Sequence, residues 1–88
     1  MITAIIWSKP FCPYCESAKA LLKQYNIPFE ERDISKDWDI QDLLKEVPHA
    51  RTMPQIWIDG QYLEDGIAGE LTYVGEYDTL TRKFKAPV

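Results

Sequence analysis

Apolar positions recur along the chain in two periods. Ile2 to Trp7 is a near-continuous apolar run, rich in β-branched and aromatic residues and closed by Ser8-Lys9-Pro10, and it predicts a strand buried on both faces. Ala18, Leu21, Leu22 and Tyr25 then fall at i, i+3, i+4 and i+7, one stripe of a helix. Pro13 suits the first turn of that helix, where a missing N–H costs nothing, and Asn26-Ile27-Pro28 ends it. Phe29 to Ile34 predicts a second strand. Ser35-Lys36-Asp37 offers capping side chains, and Ile40, Leu43, Leu44 and Val47 repeat the helical stripe until Pro48 stops it. Gln55-Ile56-Trp57-Ile58 predicts a third strand. Asp59-Gly60 signals a tight hairpin, with Gln61-Tyr62-Leu63 as the returning strand. Glu64 to Val74 fits either a loop or a second short pairing. Glu76 to Lys85 predicts a last helix, with Tyr77, Leu80 and Phe84 on one face.

The order is β-α-β-α-β-β-α. A right-handed crossover makes the first two strands parallel, and the hairpin supplies an antiparallel pair. Helices on both faces of such a sheet make an α/β, thioredoxin-like fold: a four-stranded mixed sheet flanked by three helices. With 88 residues, a single domain over 1–88 is expected, large enough to bury roughly 60–65% of the unfolded chain's surface.

Charge and hydropathy narrow the function. Ten Lys+Arg against fourteen Asp+Glu give a net charge of −4 with no basic block, which argues against nucleic-acid binding. The longest apolar run, Ala4 to Trp7, is far short of the about 20 residues that span a membrane. With no secretory signal pattern at the start of the sequence, a cytoplasmic protein is expected.

The two cysteines change the picture most. Both lie in Cys12-Pro13-Tyr14-Cys15, too short a loop to act as a staple and too few for a disulfide scaffold. At the step from strand to helix, the free N–H groups and positive end of the helix dipole favour an anion. A Cys12 thiolate would gain from that setting, its pKa falling below the free value of about 8.5, and Lys9 adds a positive charge on the same loop. Cys12 is then the nucleophile and Cys15 the resolving thiol. Two other readings stand beside this redox one: half of a zinc site, for which His49 is the only histidine, and two incidental buried cysteines.

Three islands carry a resemblance: Lys9-Pro10-Phe11-Cys12-Pro13-Tyr14-Cys15, Thr52-Met53-Pro54-Gln55-Ile56-Trp57-Ile58-Asp59-Gly60, and Val74-Gly75-Glu76-Tyr77-Asp78-Thr79-Leu80. Together they resemble the glutaredoxins of the short dithiol class. The resemblance implies a glutathione-dependent thiol–disulfide oxidoreductase that reduces protein disulfides and protein–glutathione mixed disulfides through a redox-active Cys12–Cys15 pair. It implies a cis bond before Pro54 and a glutathione site built from Lys9, Tyr14, Thr52, Met53, Pro54, Gly75, Tyr77 and Asp78, with Arg51 a weaker member. Lys9 would attract the glycyl carboxylate, and Asp78, with the first amides of the last helix, the γ-glutamyl end. Glutathione is then a co-substrate, with no tightly bound cofactor and no metal, in a monomer whose protein substrates include proteins such as ribonucleotide reductase.

Departures from the family pattern are as specific as the matches. Glu76 stands where the family has a second glycine, Thr79 replaces an acid, and the stretch between Gly60 and Gly75 is longer than in short members. Two rivals remain: a [2Fe–2S] module shared by two protomers, against which Pro13 and Tyr14 count, and a thioredoxin-like reductant fed by a flavoprotein, for which the Trp-Cys-Gly-Pro-Cys motif is missing.

Overall fold

In a computed structural model that describes residues 2–87, the elements run β1 (Ala4–Ser8), α1 (Pro13–Gln24), β2 (Glu30–Asp33), α2 (Ile40–Glu46), β3 (Gln55–Asp59), a 3-10 turn (Gly60–Tyr62), β4 (Leu71–Gly75) and α3 (Tyr77–Lys83). The sheet order is β2-β1-β3-β4. β1 runs parallel to β2 and antiparallel to β3, and β3 runs antiparallel to β4. This is the thioredoxin-like arrangement expected from the order of periods.

Alternation along the central strands builds two cores. Ala4, Ile6, Ile56 and Ile58 face Ala18 and Leu22 of α1 and Leu80 of α3, with Tyr25, Tyr77 and Phe84 packed around them. On the other face Trp7 meets Leu43 of α2 and Val47 at its C-cap, and Cys12, Cys15 and Met53 join that cluster. β1 is buried on both faces because helices lie on both. Its C-terminal end is where the chain turns into α1, which places the dithiol at the margin of the second core.

Two local expectations are corrected. The cap of α2 is Asp39, not Ser35, Lys36 or Asp37: Asp39 accepts from the Gln41 N–H at 2.8 Å, and Asp42 reaches back to the Asp39 N–H at 3.1 Å, a reciprocal capping box. Ser35 is used earlier, donating its N–H and hydroxyl to Asp33.

The second correction concerns the hairpin. Gln61-Tyr62-Leu63 is not a strand; the strand that pairs with β3 is Leu71–Gly75, which begins inside the Glu64 to Val74 stretch and runs one residue past it. The cause is Asp59. Its carboxylate accepts from the N–H of Gln61 at 3.0 Å and of Gly69 at 2.9 Å, gathering both ends of the intervening loop. Gly60 packs so closely on that loop that an added Cβ would lie 2.2 Å from the Ile67 nitrogen. Leu63 keeps only a single bridge, to Phe84.

Candidate active site

The site begins at the end of β1, where the chain must reverse into α1. Phe11 takes a left-handed conformation, φ 56°, which turns its ring wholly into solvent and aims Cys12 inward. Cys12 is the N-cap residue of α1. Its carbonyl accepts the first helical bond, from Glu16 at 3.1 Å, and its sulfur accepts the N–H of Cys15 at 3.2 Å. The residue that would carry the negative charge thus already holds one of the orphan amides of the helix start.

Cys12 and Cys15 are joined in a disulfide, with Cα atoms 5.2 Å apart. Cys15 is fully buried, whereas Cys12 keeps 7% of its surface exposed. An incoming group can reach Cys12 alone. Opposite the disulfide, the Met53–Pro54 peptide is cis, as the resemblance implied, and the Met53 carbonyl oxygen lies 3.7 Å from the Cys12 sulfur.

Between these two segments and the start of α3 runs a groove of about 650 Å³. Lys9, Tyr14, Thr52, Met53, Pro54, Tyr77 and Asp78 line it together with Cys12, and so do Arg51 and Glu76. Tyr14 and Tyr77 face each other across it, ring centroids 6.1 Å apart. Gly75 is placed differently. It lies in an adjoining recess with Thr52, Gln55, Tyr73 and Glu76, at φ 83°, where the backbone turns from β4 into α3. Asp78 is engaged with Arg82 at 3.4 Å, one turn along α3.

Sequence reasoning missed Phe11 and Pro13 as walls of the groove, and Tyr73 as a neighbour of it. Phe11 had no signal beyond its place before Cys12. Tyr73 could be found only by recognising Leu71–Gly75 as a strand. Its hydroxyl donates to Gln55 Oε1, and burial, with the Glu76 carboxylate adding to it, pushes its phenol above the ordinary value.

A second cleft of about 670 Å³ lies on the other side of Phe11. Lys19 spans it, bonded to Glu16 at 2.8 Å and to Glu31 at 2.9 Å, while the buried Ser8 hydroxyl donates to Glu31 at 2.7 Å. Hydrogen bonding to Glu16 first, then to Glu31, raises the Lys19 pKa. Among the described residues no three His, Cys, Asp or Glu are grouped to hold a metal ion, and no helix is long and apolar enough to cross a membrane.

The glutaredoxin family model matches residues 4–63, more than half of the chain and all of the dithiol and cis-proline segments. The chain belongs to the glutaredoxin family. It is 41% identical over 64 residues to Glutaredoxin-C8 of Oryza sativa subsp. japonica, a stretch covering 67% of this chain and 47% of that protein. The chain spans about half the length of the first curated relatives it matches. A solution structure of glutaredoxin from Brucella melitensis superposes with a TM-score of 0.60 at 32% identity, over 93% of this chain and 77% of that one. A crystal structure of a buckwheat glutaredoxin–glutathione complex superposes with a TM-score of 0.66 at 23% identity, over 91% of this chain and 66% of that one, a likeness of fold. In this glutaredoxin the family match stops at Leu63, so β4, α3 and the loop that Asp59 ties lie beyond it.

Proposed function

We propose that residues 1–88 act as one domain, a glutathione-dependent thiol–disulfide oxidoreductase working through Cys12 and Cys15. The observation that carries the reading is the paired geometry at Cys12: a sulfur that caps a helix start, accepts an amide at 3.2 Å, and faces a groove of tripeptide size. Helix-terminal amides favour a thiolate over a thiol, and the thiolate is the nucleophile.

The Cys12 thiolate attacks the glutathione sulfur of a protein–glutathione mixed disulfide. A Cys12–glutathione bond forms, the protein sulfur leaves as a thiolate, and it takes a proton from solvent. A second glutathione thiolate attacks the glutathionyl sulfur, releasing oxidised glutathione and restoring Cys12. One free glutathione is thus oxidised for each protein sulfur reduced, and the glutathionyl group of the substrate leaves as the other half of oxidised glutathione. With a protein disulfide, Cys12 attacks first. Cys15 then displaces the partner as a thiol to give the disulfide seen here, which two glutathiones reduce in turn, leaving as oxidised glutathione. A potential of about −200 to −230 mV suits that exchange.

Glutathione binding along the groove is supported by its lining. Lys9, with Arg51 near it, offers a cation to the glycyl carboxylate, the Met53 backbone offers an N–H and C=O to the cysteinyl part as an added strand would, and Tyr77 and Asp78 flank the γ-glutamyl end. Tyr14 and Pro54 form the apolar sides next to the sulfur. The buckwheat protein of like fold was crystallised with glutathione, which fits the same reading. Protein substrates such as ribonucleotide reductase, a monomeric state and a cytoplasmic setting belong to the proposal by family resemblance.

The test is NADPH oxidation by glutathione reductase, coupled to this protein through the mixed disulfide of glutathione and 2-mercaptoethanol. Turnover that saturates in the mixed disulfide supports the reading. Turnover with thioredoxin reductase alone would replace it.

A further inference from the structure

We propose that Tyr73 and Gln55 are positioning residues that aim the Met53 N–H into the groove beside Cys12. The inference rests on the glutathione reading above and assigns a role to two side chains outside the groove lining. The Gln55 side-chain Nε2 donates to the Thr52 carbonyl at 2.9 Å. That carbonyl and the Met53 N–H belong to one planar peptide unit, and in a trans peptide they point in opposite directions. Drawing the oxygen toward the sheet therefore turns the N–H outward, on the segment whose next carbonyl lies 3.7 Å from the Cys12 sulfur.

An amide side chain has two ends of similar shape and opposite polarity. Reversed, Gln55 would set its oxygen against the Thr52 oxygen and lose the anchor. Tyr73 decides the orientation. Its hydroxyl donates to Gln55 Oε1, which leaves Nε2 as the end that faces Thr52. Gln55 is 5% exposed, so water does not readily substitute for either partner. A phenol with an ordinary pKa of 10 is a donor at neutral pH, and partial burial with the Glu76 charge moves Tyr73 further in that direction.

The fold supplies Tyr73 by its unusual route into β4. The β3–β4 ladder slips between Ile56 and Trp57, leaving Tyr73 opposite Trp57 with ring centroids 4.8 Å apart. Such a bulge re-aims a side chain along the strand. Tyr73 thereby reaches two residues back along β3 from its partner Trp57, to Gln55 at the first position of the strand.

The experiment uses the full chain and the mixed disulfide of glutathione and 2-mercaptoethanol. Tyr73→Phe removes the hydroxyl and keeps the ring against Trp57. The KM for the mixed disulfide should rise roughly two- to tenfold, the worth of one ordinary hydrogen bond. At saturation kcat should hold, because the contact binds ground state and transition state alike. The alkylation rate of Cys12 by iodoacetamide should stay at the parent's value, which a general loosening of the site would not allow. Gln55→Leu should raise KM at least as far, and adding Tyr73→Phe to it should change nothing more. An active parent with an unmoved KM in Tyr73→Phe overturns this inference alone. A parent inert toward the mixed disulfide overturns the glutathione reading and this inference with it.

Discussion

The N–H of Cys15 donates to the sulfur of Cys12 across 3.2 Å, so the proposed nucleophile and the helix cap are one and the same. Serine is a good N-cap and a poor thiol substitute. Cys12→Ser should therefore abolish both proposed activities while the reduced protein unfolds at nearly the parental temperature. Cys12→Ala should add a loss of about 0.5–2 kcal/mol from the missing cap, read by urea denaturation under reducing conditions. Cys15→Ser should keep turnover of glutathionylated substrate and lose reduction of protein disulfides. A Cys15→Ser protein with neither activity would reassign the nucleophile.

How far the sequence reached depended on the range of the forces involved. The dithiol step was legible because helix periodicity, Pro13 at the first turn and the Cys-x-x-Cys spacing are all local. The groove was legible through the motifs at Lys9–Cys15, Thr52–Pro54 and Tyr77–Asp78, which lie beside elements whose order was readable, whereas Gly75, at the end of β4, falls in the adjoining recess. The route from β3 to β4 was not. Asp59-Gly60 carries the local chemistry of a hairpin turn, and what overrides it is a contact from Asp59 to Gly69, across the loop. The Asp39 cap was overlooked for a simpler reason: Ser35 and Asp37 are equally good capping types, and only the start of the stripe at Ile40 distinguishes them.

Asp59 provides a stability test of that loop. Backbone N–H donation by Gln61 first, then by Gly69, outweighs burial and holds its carboxyl below the ordinary value of 3.8. A carboxylate with a depressed folded pKa stabilises above its unfolded pKa, and the contribution disappears as pH falls through the folded one. Asp59→Ala should cost about 1–3 kcal/mol at pH 7 in urea denaturation, because two amides lose a charged acceptor. Asp59→Asn should lose less, and parent and Asn variant should converge in acid below the carboxylate range. Gly60→Ala should destabilise as well, since its Cβ would meet backbone rather than a movable side chain.

The Lys19 bridge makes a pH-bounded prediction of smaller size. Burial alone would raise the Glu31 carboxyl, but hydrogen bonds from Lys19 and Ser8, with the Lys19 charge, together bring it below 4.5. Lys19 moves the other way, above 10.5, through its bonds to Glu16 and Glu31. The bridge therefore contributes between those ordinary values, fading in acid as Glu31 protonates and in strong base as Lys19 loses its proton. The Glu31 side chain is 35% exposed, so solvent screening keeps the amount near 0.2–1 kcal/mol, roughly. Glu31→Gln should show that loss at pH 7, and the difference should dwindle as pH falls through the carboxylate range, by thermal unfolding of the two proteins side by side.

Glu76 stands on the rim of the groove, with no side-chain capping bond of its own to α3. Glutathione carries net negative charge, so the carboxylate should work against it, even though its charge at the N-cap of α3 favours the helix start by about 0.3–1 kcal/mol. At the separations of a groove rim the repulsion is worth about 0.5–1 kcal/mol, and Glu76→Gln should lower the KM for a glutathionylated substrate roughly two- to fivefold. Because both charges face water, the difference should shrink toward nothing as salt rises to about 1 M, where the screening length is ~3 Å. Unfolding temperature should fall slightly in Glu76→Gln, because the negative charge at the start of α3 is lost. The reverse result, a KM that rises in Glu76→Gln and does so most at low salt, would mean that Glu76 pairs with the γ-glutamyl ammonium. The glycine-to-glutamate departure would then be an extra ligand contact, taking the place proposed for Asp78, whose carboxylate already faces Arg82.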